Sequence, residues 1–502
     1  MDLVEPRVGL NLFVYTPEEN VSDYETVIGL EVHAQLLTRS KMFCGCAATF
    51  GVAPNHQTCP VCQGMPGVLP VINRRAIEFG IRTARALSCR VNAECRFARK
   101  HYFYPDMPKN YQISQYEEPL AEDGRLEVEI EGSLHRVGIQ RLHLEEDVGK
   151  LTHEGGVFES ATASLVDFNR AGVPLMEIVS RPDLRSPAEA SEYLKTLRAI
   201  LRYLGVCDGN MEEGSLRCDA NISLRRRGAS ELGTKVEIKN MNSFRHVRAA
   251  LEHEVERQAR ALDHGERLVQ ETRLWNPDKG QTLAMRSKEF AHDYRYFPEP
   301  DLVPLRPDPA WVAEIERGLP ELPRARRLRF TEQYGLPPYD ADLLTGDRAL
   351  ADYYEEAVGL HPNAKALANW IMSELLRELS GDPAAVAASP IRPAHLARLV
   401  ALVDDGTISG KIAKDVFERM ARSGEDPDAI VRREGLTQVA DAGALQVVVD
   451  RVIAANPAAV ADFRKGKKQS LAFLVGQVMK ATGGKASPQV VNRLLAERLP
   501  PP

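Results

Sequence analysis

The run Val173 to Val179 is apolar apart from a single residue, Glu177. Burying a carboxylate in such a strand is expensive unless something compensates it, so the fold must bring a partner to Glu177. The stretch around it, Arg141 to Asp183, opens with His143, Glu145, Glu146 and Asp147 and passes a Gly155-Gly156 turn. The compensation is either a basic side chain or a hard cation such as Mg²⁺, which prefers carboxylate, phosphate and water oxygens. For one residue both readings stand, because structural ion pairs imitate functional sites.

Repetition shifts the balance. In VIGLEVHAQL, a period of two puts Glu31, His33 and Gln35 on one strand face and Ile28, Leu30, Val32 and Leu36 on the other. In MEEGSLRCDANISL the same rule gathers Arg217, Asp219, Asn221 and Ser223 opposite Cys218, Ala220, Ile222 and Leu224, and in KVEIKN it aligns Lys235, Glu237 and Lys239 against Val236 and Ile238. Several strands with an apolar face and a face of Glu, Asp, His, Asn and Arg point to one sheet with a shared polar cavity.

A chain of 502 residues exceeds what one core serves, so two or three domains are expected. The formal charge of −6 argues against a protein that coats nucleic acid non-specifically. No apolar run approaches the roughly 20 residues of a membrane span, and residues 1–23 have neither signal nor transit character, so a soluble, cytoplasmic protein is expected. Those 23 residues read as an extension without a motif. Eight cysteines are too few and too uneven for a secreted disulfide framework. Cys44-Gly-Cys46 and Cys59-Pro-Val-Cys62, separated by a polar loop, match a four-thiolate zinc knuckle at 44–62, with a redox role for Cys59 and Cys62 as the runner-up.

Asn73 to Leu87 carries an amphipathic helical stripe. Lys100 to Pro119 interleaves aromatic rings with Lys100, His101, Lys109 and two prolines, a stiff loop suited to stacking bases or to packing on a sheet edge. Ser186, Pro187 and Glu189 open a helix with a capping box, and Gly205 closes it. A second helix, Phe244 to Leu262, carries His246, Arg248, Glu252, Glu254, Glu256 and Arg257, expected to be a solvated face. After it, Arg273, Arg286, Lys288, Asp293, Arg295 and Glu299 sit among aromatics and prolines as a candidate phosphate- or RNA-facing wall. Pro304 to Pro323 reads as a semi-rigid linker, and everything beyond it as helical. Lys465, Lys467, Lys468 and the Gly483-Gly484-Lys485 turn give the last 70 residues or so a basic loop suited to RNA, with a merely solvated loop as an equal alternative.

The ordered set GLEVH (29–33), KHYFYPDMPKNYQISQY (100–116), LHLEEDVGKLTH (142–153), DFNRAGVPLMEIVSRPD (167–183), MEEGSLRCDANIS (211–223), EIKNMNSF (237–244) and DYRYFPEPDLVPL (293–305) resembles one family, the B subunits of the aspartyl/glutamyl-tRNA(Asn/Gln) amidotransferases. The likeness runs from about Tyr24 to the carboxyl terminus, and the cysteine quartet occurs in only some members. The resemblance implies an α+β catalytic cradle domain with a mixed or antiparallel sheet (24–318), an all-α domain (319–431) and a small helical tail domain that contacts tRNA (432–502).

The activity it implies is ATP-dependent activation of the misacylated side chain of Glu-tRNA(Gln) or Asp-tRNA(Asn), followed by amidation. The ammonia is channelled from a partner amidase, the A subunit; the small C subunit holds the two together, and a non-discriminating aminoacyl-tRNA synthetase is a further candidate partner. By similarity, Mg²⁺ and ATP sit among Glu31, His33, Glu146, Glu177, Asp219 and Glu237, although Glu146 has the opposite parity from His143 and Glu145. The chain has no G-x-x-x-x-G-K-[ST] loop, so phosphates must be held by metal and side chains, for which Arg217 and Lys239 are the candidates. Two other readings compete: a non-catalytic tRNA-binding scaffold, and a ligase acting on a small free amino acid.

Overall fold

The computed structural model describes residues 23–153, 163–285, 294–437, 442–465, 467, 469–482, 486 and 488–499. Of the features above, the amino-terminal extension up to residue 22, the Gly155-Gly156 turn, Arg286, Lys288, Asp293, Lys468 and Gly483-Gly484-Lys485 lie outside them. The chain divides into two compact units that part between Leu322 and Pro323.

The first unit is built on strands β1 (Tyr24–Gln35), β2 (Arg90–Val91), β3 (Ala98–His101), β4 (Tyr111–Ser114), β5 (Ala121–Ile130), β6 (Ser133–Glu146), β7 (Lys150–His153), β8 (Ser164–Asp167), β9 (Pro174–Ser180), β10 (Leu216–Arg226), β11 (Val236–Lys239), β12 (Glu271–Asn276), β13 (Gln281–Ala284) and β14 (Phe297–Pro298). Nine of them form one sheet in the order β13-β12-β11-β10-β1-β9-β6-β5-β2, in which only the β11–β12 pair is parallel. The sheet is therefore mixed, one of the two forms that the resemblance implied. Strands β14, β3 and β4 make a smaller sheet, so the aromatic segment from Lys100 begins and ends in strands that pair with each other.

Helices α1 (Arg74–Ala86), α2 (Pro187–Tyr203), α3 (Phe244–Asp263) and α4 (Pro309–Arg317) belong to the same unit. Their buried residues share one core with Ile28, Leu30, Val32, Cys218, Ala220, Ile222, Val236 and Ile238, the apolar faces picked out by the period of two. Each fully buried Ile or Phe, such as Ile77 and Phe79 on α1, contributes roughly 1.5–3 kcal/mol, so this face is anchored and the opposite one is left to polar groups. Asn73 caps α1 through the N–H groups of Arg75 and Ala76. Ser186 caps α2 by accepting from the Glu189 N–H at 3.1 Å, while Glu189 reaches back to the N–H of Arg185 at 2.6 Å, one residue before the cap.

Two expectations need correction. Pro304 to Pro323 is not a bare linker: Asp308 caps α4, Pro309 opens it, and Ile315, Leu319 and Leu322 pack on the core, so the expected boundary after 318 falls inside this unit. Glu254 is not solvated; α3 turns it inward, where it accepts from Arg257 Nε (2.8 Å) and Nη2 (2.9 Å), Gln258 Nε2 (3.0 Å) and Thr282 Oγ1 (2.5 Å).

The second unit is helical throughout its described residues and holds two apolar cores. One draws on residues from Phe330 to Val431, the other on residues from Leu445 to Leu499. No helix among the described residues is long and apolar enough to cross a membrane.

Candidate active site on the sheet face

The strand register decides which polar residues meet. His33 on β1 stands opposite Glu177 on β9, and Glu177 stands opposite His143 on β6. Glu177 Oε2 lies 3.4 Å from His33 Nε2 and 3.2 Å from His143 Nε2, and Oε1 lies 4.0 Å from Arg141 Nη2. Two residues along β6, Glu145 Oε2 is 3.7 Å from His143 Nε2 and accepts from Ser114 Oγ at 2.9 Å. Glu145 and Glu177 are both buried. One ligand atom from each of His33, Glu145 and Glu177 falls within 4.8 Å of the others, a nitrogen and two carboxylate oxygens with room between them for a cation.

Burial alone would push the Glu177 carboxyl up, but His143 and His33 hold it well below the usual carboxylate range. The same pairing overcomes burial in the other direction at His143, which Glu177 and Glu145 raise to about 9. Glu177 is thus an anion whose nearest partners are two histidines, of which His143 is held as the imidazolium and is shared with Glu145.

Further along the same face the register pairs Glu31 with Asp219 and Asn221 with Glu237. Here the charges are already satisfied. Lys239 Nζ donates to Asp219 Oδ2 at 2.5 Å and lies 3.1 Å from Glu237 Oε1, Thr272 Oγ1 donates to Glu237 Oε2 at 2.7 Å, and Asn221 Nδ2 donates to Glu31 Oε1 at 2.9 Å. Among the described residues Glu31, Asp219 and Glu237 do not converge into a cation-sized group, because Lys239 occupies the space between two of them.

Residues 26–313 match the model of the GatB/GatE catalytic domain, and residues 352–499 match that of the GatB domain. Curated relatives named as the B subunit of aspartyl/glutamyl-tRNA(Asn/Gln) amidotransferase include one from Moorella thermoacetica, 57% identical over 95% of this chain and 100% of the relative. Another, from Carboxydothermus hydrogenoformans, is 56% identical over 95% and 99%. A third, from Syntrophotalea carbinolica, is 54% identical over the same shares. The chain belongs to the family of amidotransferase B subunits.

One residue of the expected set lies apart from this group. Glu146 does not reach the His33–Glu177 group; out of phase with His143 and Glu145 on β6, it turns to the far side, where it pairs with Lys109 Nζ and accepts from the N–H of Ile113 at 2.9 Å. Glu145 stands in its place. Glu145 and His143 were within reach of sequence reasoning, since they are the two residues that keep parity through HLEE.

The cysteine quartet also comes together. The Sγ atoms of Cys44, Cys46, Cys59 and Cys62 lie within 4.8 Å of one another, near the roughly 3.8 Å separations that tetrahedral zinc–thiolate bonds impose. The buried Lys41 ammonium sits 3.6 Å from Cys62 Sγ and the Cys59 N–H donates to the same sulfur at 3.2 Å. The Cys44 thiol as donor, the Cys59 N–H and the Lys41 charge together push the Cys62 thiol down to about 4, a sulfur prepared as thiolate. Gly172, at φ +87°, lets the approach to β9 run close by; a Cβ there would meet Lys41 Cδ at 3.4 Å and Cys62 Cβ at 3.5 Å. The donor set suits zinc with no position left for a substrate.

Beside the His33 group, the Tyr116 and Tyr296 rings stack at 4.2 Å between centroids and Lys100 Nζ lies 4.9 Å from the Tyr294 ring centre. Both aromatic segments flagged in the sequence therefore contribute to one wall.

Proposed function

We propose that the sheet face is the kinase and transamidase site of a tRNA-dependent amidotransferase, in which this chain is the B subunit and works with a partner amidase, the A subunit, together with the small C subunit. Its substrates are ATP and the misacylated Glu-tRNA(Gln), Asp-tRNA(Asn) or both, and it acts in the cytoplasm. The observation that carries this reading is the His33–Glu145–Glu177 group, two under-neutralised buried carboxylates and an imidazole in a chain that belongs to this family.

A carboxylate oxygen is a poor leaving group, so amidation needs a phosphoryl group on it first, and that transfer is mostly positioning and charge neutralisation. Mg²⁺ held by His33, Glu145 and Glu177 would supply the Lewis acidity and neutralise phosphate charge. Around it, Ser114 Oγ and His143 fix the Glu145 carboxylate, and His143 holds Glu177 toward His33. Glu31, Asp219 and Glu237, tied to Asn221, Lys239 and Thr272, make the acidic flank of the same face and can take a second cation or its waters once Lys239 moves. The Tyr116–Tyr296 wall with Lys100 is suited to the unpaired 3′ end of a tRNA. Zinc in the cysteine quartet is structural. In this reading the tail helices, from Ala442–Ala455 to Pro488–Arg498, contact the body of the tRNA.

The test is amide formation by the assembled complex on each misacylated tRNA, with glutamine and then with ammonia as nitrogen donor. ATP- and Mg²⁺-dependent amide supports the reading; tRNA binding without ATP turnover favours the scaffold alternative.

A further inference from the structure

Of the two cations expected to hold phosphate, one is occupied. Lys239 faces two carboxylates at 2.5 and 3.1 Å and leaves its surroundings net negative. Arg217 is placed differently. It stands across from His33 on the neighbouring strand, and its Nη2 donates to Asp147 Oδ2 at 3.0 Å. The same carboxylate oxygen lies 3.8 Å from Nε of a second guanidinium, Arg170. Two arginines thus share one buried carboxylate, with Glu145 and Asp219 also acting on Arg217 and Asp106 on Arg170.

Each guanidinium is oriented by groups that do not use it up. Gln35 Nε2 and the Val148 N–H donate to Asp147 at 2.7 and 2.9 Å and fix its plane. Arg170 donates Nε to Val148 O at 2.9 Å and Nη2 to Gly149 O at 2.6 Å, which spends one edge of the fork. Nε and Nη1 of Arg217 and Nη1 of Arg170 have no acceptor among the described residues, and the two side chains are 34% and 31% exposed. Planar guanidinium forks with open donors are what a phosphoryl group's oxygens need. Gln35 shares its strand face with His33, so this seat lies next to the proposed cation group.

We infer that Arg217 and Arg170, bracketing Asp147, form the seat for the phosphoryl group that is transferred, with Asp147 as the positioning residue. The inference rests on the transamidase reading above. In that reaction the substrate carboxylate oxygen bonds to the γ-phosphorus as the bond to the bridging oxygen breaks and ADP leaves. Ammonia then bonds to the carbonyl carbon, the carbon–oxygen bond to phosphate breaks with its electron pair going to phosphate, and the nitrogen loses a proton. Both halves need donors on the same phosphoryl oxygens, and inorganic phosphate is left in the seat.

The probe is inorganic phosphate, followed as an inhibitor of ammonia-driven amide formation and by direct titration calorimetry on the assembled complex. Arg217→Met is expected to weaken phosphate binding at least tenfold and to raise the KM for ATP, leaving the KM for aminoacyl-tRNA unchanged. Arg217→Lys should restore little, because an ammonium cannot reproduce the fork. Arg170→Met should show the same pattern more weakly. Asp147→Asn, which keeps the contact with Gln35, should lower kcat more than it raises the KM for ATP, since the donors remain but their orientation is loosened. Unchanged phosphate binding in both arginine variants, with only a lowered Tm, would make the trio a structural clamp and overturn the inference. A rise in the KM for tRNA alone would overturn it too, in favour of a tRNA backbone contact. If the unmodified complex forms no amide with ATP, the transamidase reading fails; if it does and the variants bind phosphate normally, only the seat fails.

Discussion

Glu177 in the sheet unit and Glu355 in the helical unit are both glutamates surrounded by basic groups, and their surroundings differ in kind. Glu355 accepts from Arg326 Nε at 3.0 Å, from Arg329 Nη1 at 2.6 Å and from Tyr334 OH at 3.0 Å, so both oxygens have strong donors. Glu177 is more deeply buried, and its partners among the described residues are two histidines beyond 3 Å, one of them shared with Glu145, and a distant guanidinium. A carboxylate with its full complement of donors holds helices together. One that is buried and short of donors is waiting for a cation.

The sharpest way to break this contrast is Glu177→Gln, which removes the charge and keeps the size. Amide formation should fall by about 100-fold or more, the scale of lost electrostatic stabilisation at a reacting centre. Binding of tRNA should persist, and supplying ammonia directly should not rescue the rate; near-normal amide formation with ammonia would make Glu177 a second Glu355. Removing the chain from Thr437 onward should raise the KM for aminoacyl-tRNA about tenfold with glutaminase activity little changed, measured by steady-state kinetics on the complex. An unaltered KM would count against a tail contact.

Glu355→Gln should do the reverse of the first change: no effect on amide formation, but a stability loss of about 1–3 kcal/mol in the helical unit, because the buried Arg326 loses its closest charge. The pairing also predicts a pH dependence. Arg329 and Arg326 overcome burial and hold the Glu355 carboxyl at about 2, below its ordinary 4.5. Its contribution is therefore complete above about pH 4.5 and is lost as pH falls toward 2; denaturant titrations of the parent and Glu355→Gln should converge over that window. The smallest effect on catalysis is expected from Cys59→Ser. Zinc should fall from about one per chain to near none by elemental analysis, with some transamidation retained. Finding no zinc in the parent protein purified without chelator would remove the metal from this region altogether.

The sheet was legible because burial on one side makes the period of two unambiguous: the apolar faces of Ile28–Val32, Cys218–Leu224 and Val236–Ile238 all lie in one core. The partners across strands were less so. Glu146, carried over from the resemblance, and Glu145 are one residue apart, and in a strand that step puts their side chains on opposite faces. The Asp147–Arg217–Arg170 arrangement joins residues from three separate stretches of chain and leaves no local pattern. Glu254 was misread for another reason: its neighbours Arg248, Glu252 and Glu256 are exposed, and only the β12–β13 hairpin beside α3 covers it. Pro304–Pro323 misled because proline also opens helices, as Asp308-Pro309 does here.

The register of β1 sets an order of events during synthesis. His33 waits for Glu177, and Glu31 for Asp219, across spans of well over a hundred residues. Closing such spans is slow compared with making local helices. A nascent chain that has already released its first strand gains β9 only after residue 180 has left the ribosome, and its other neighbour, β10, only after residue 226. Until then the apolar side of β1 is incompletely covered and at least one of its edges is open to other chains. Chaperone demand should therefore be concentrated in the first half of translation, and the strands that carry the cation group emerge before the β10–β13 half of the sheet.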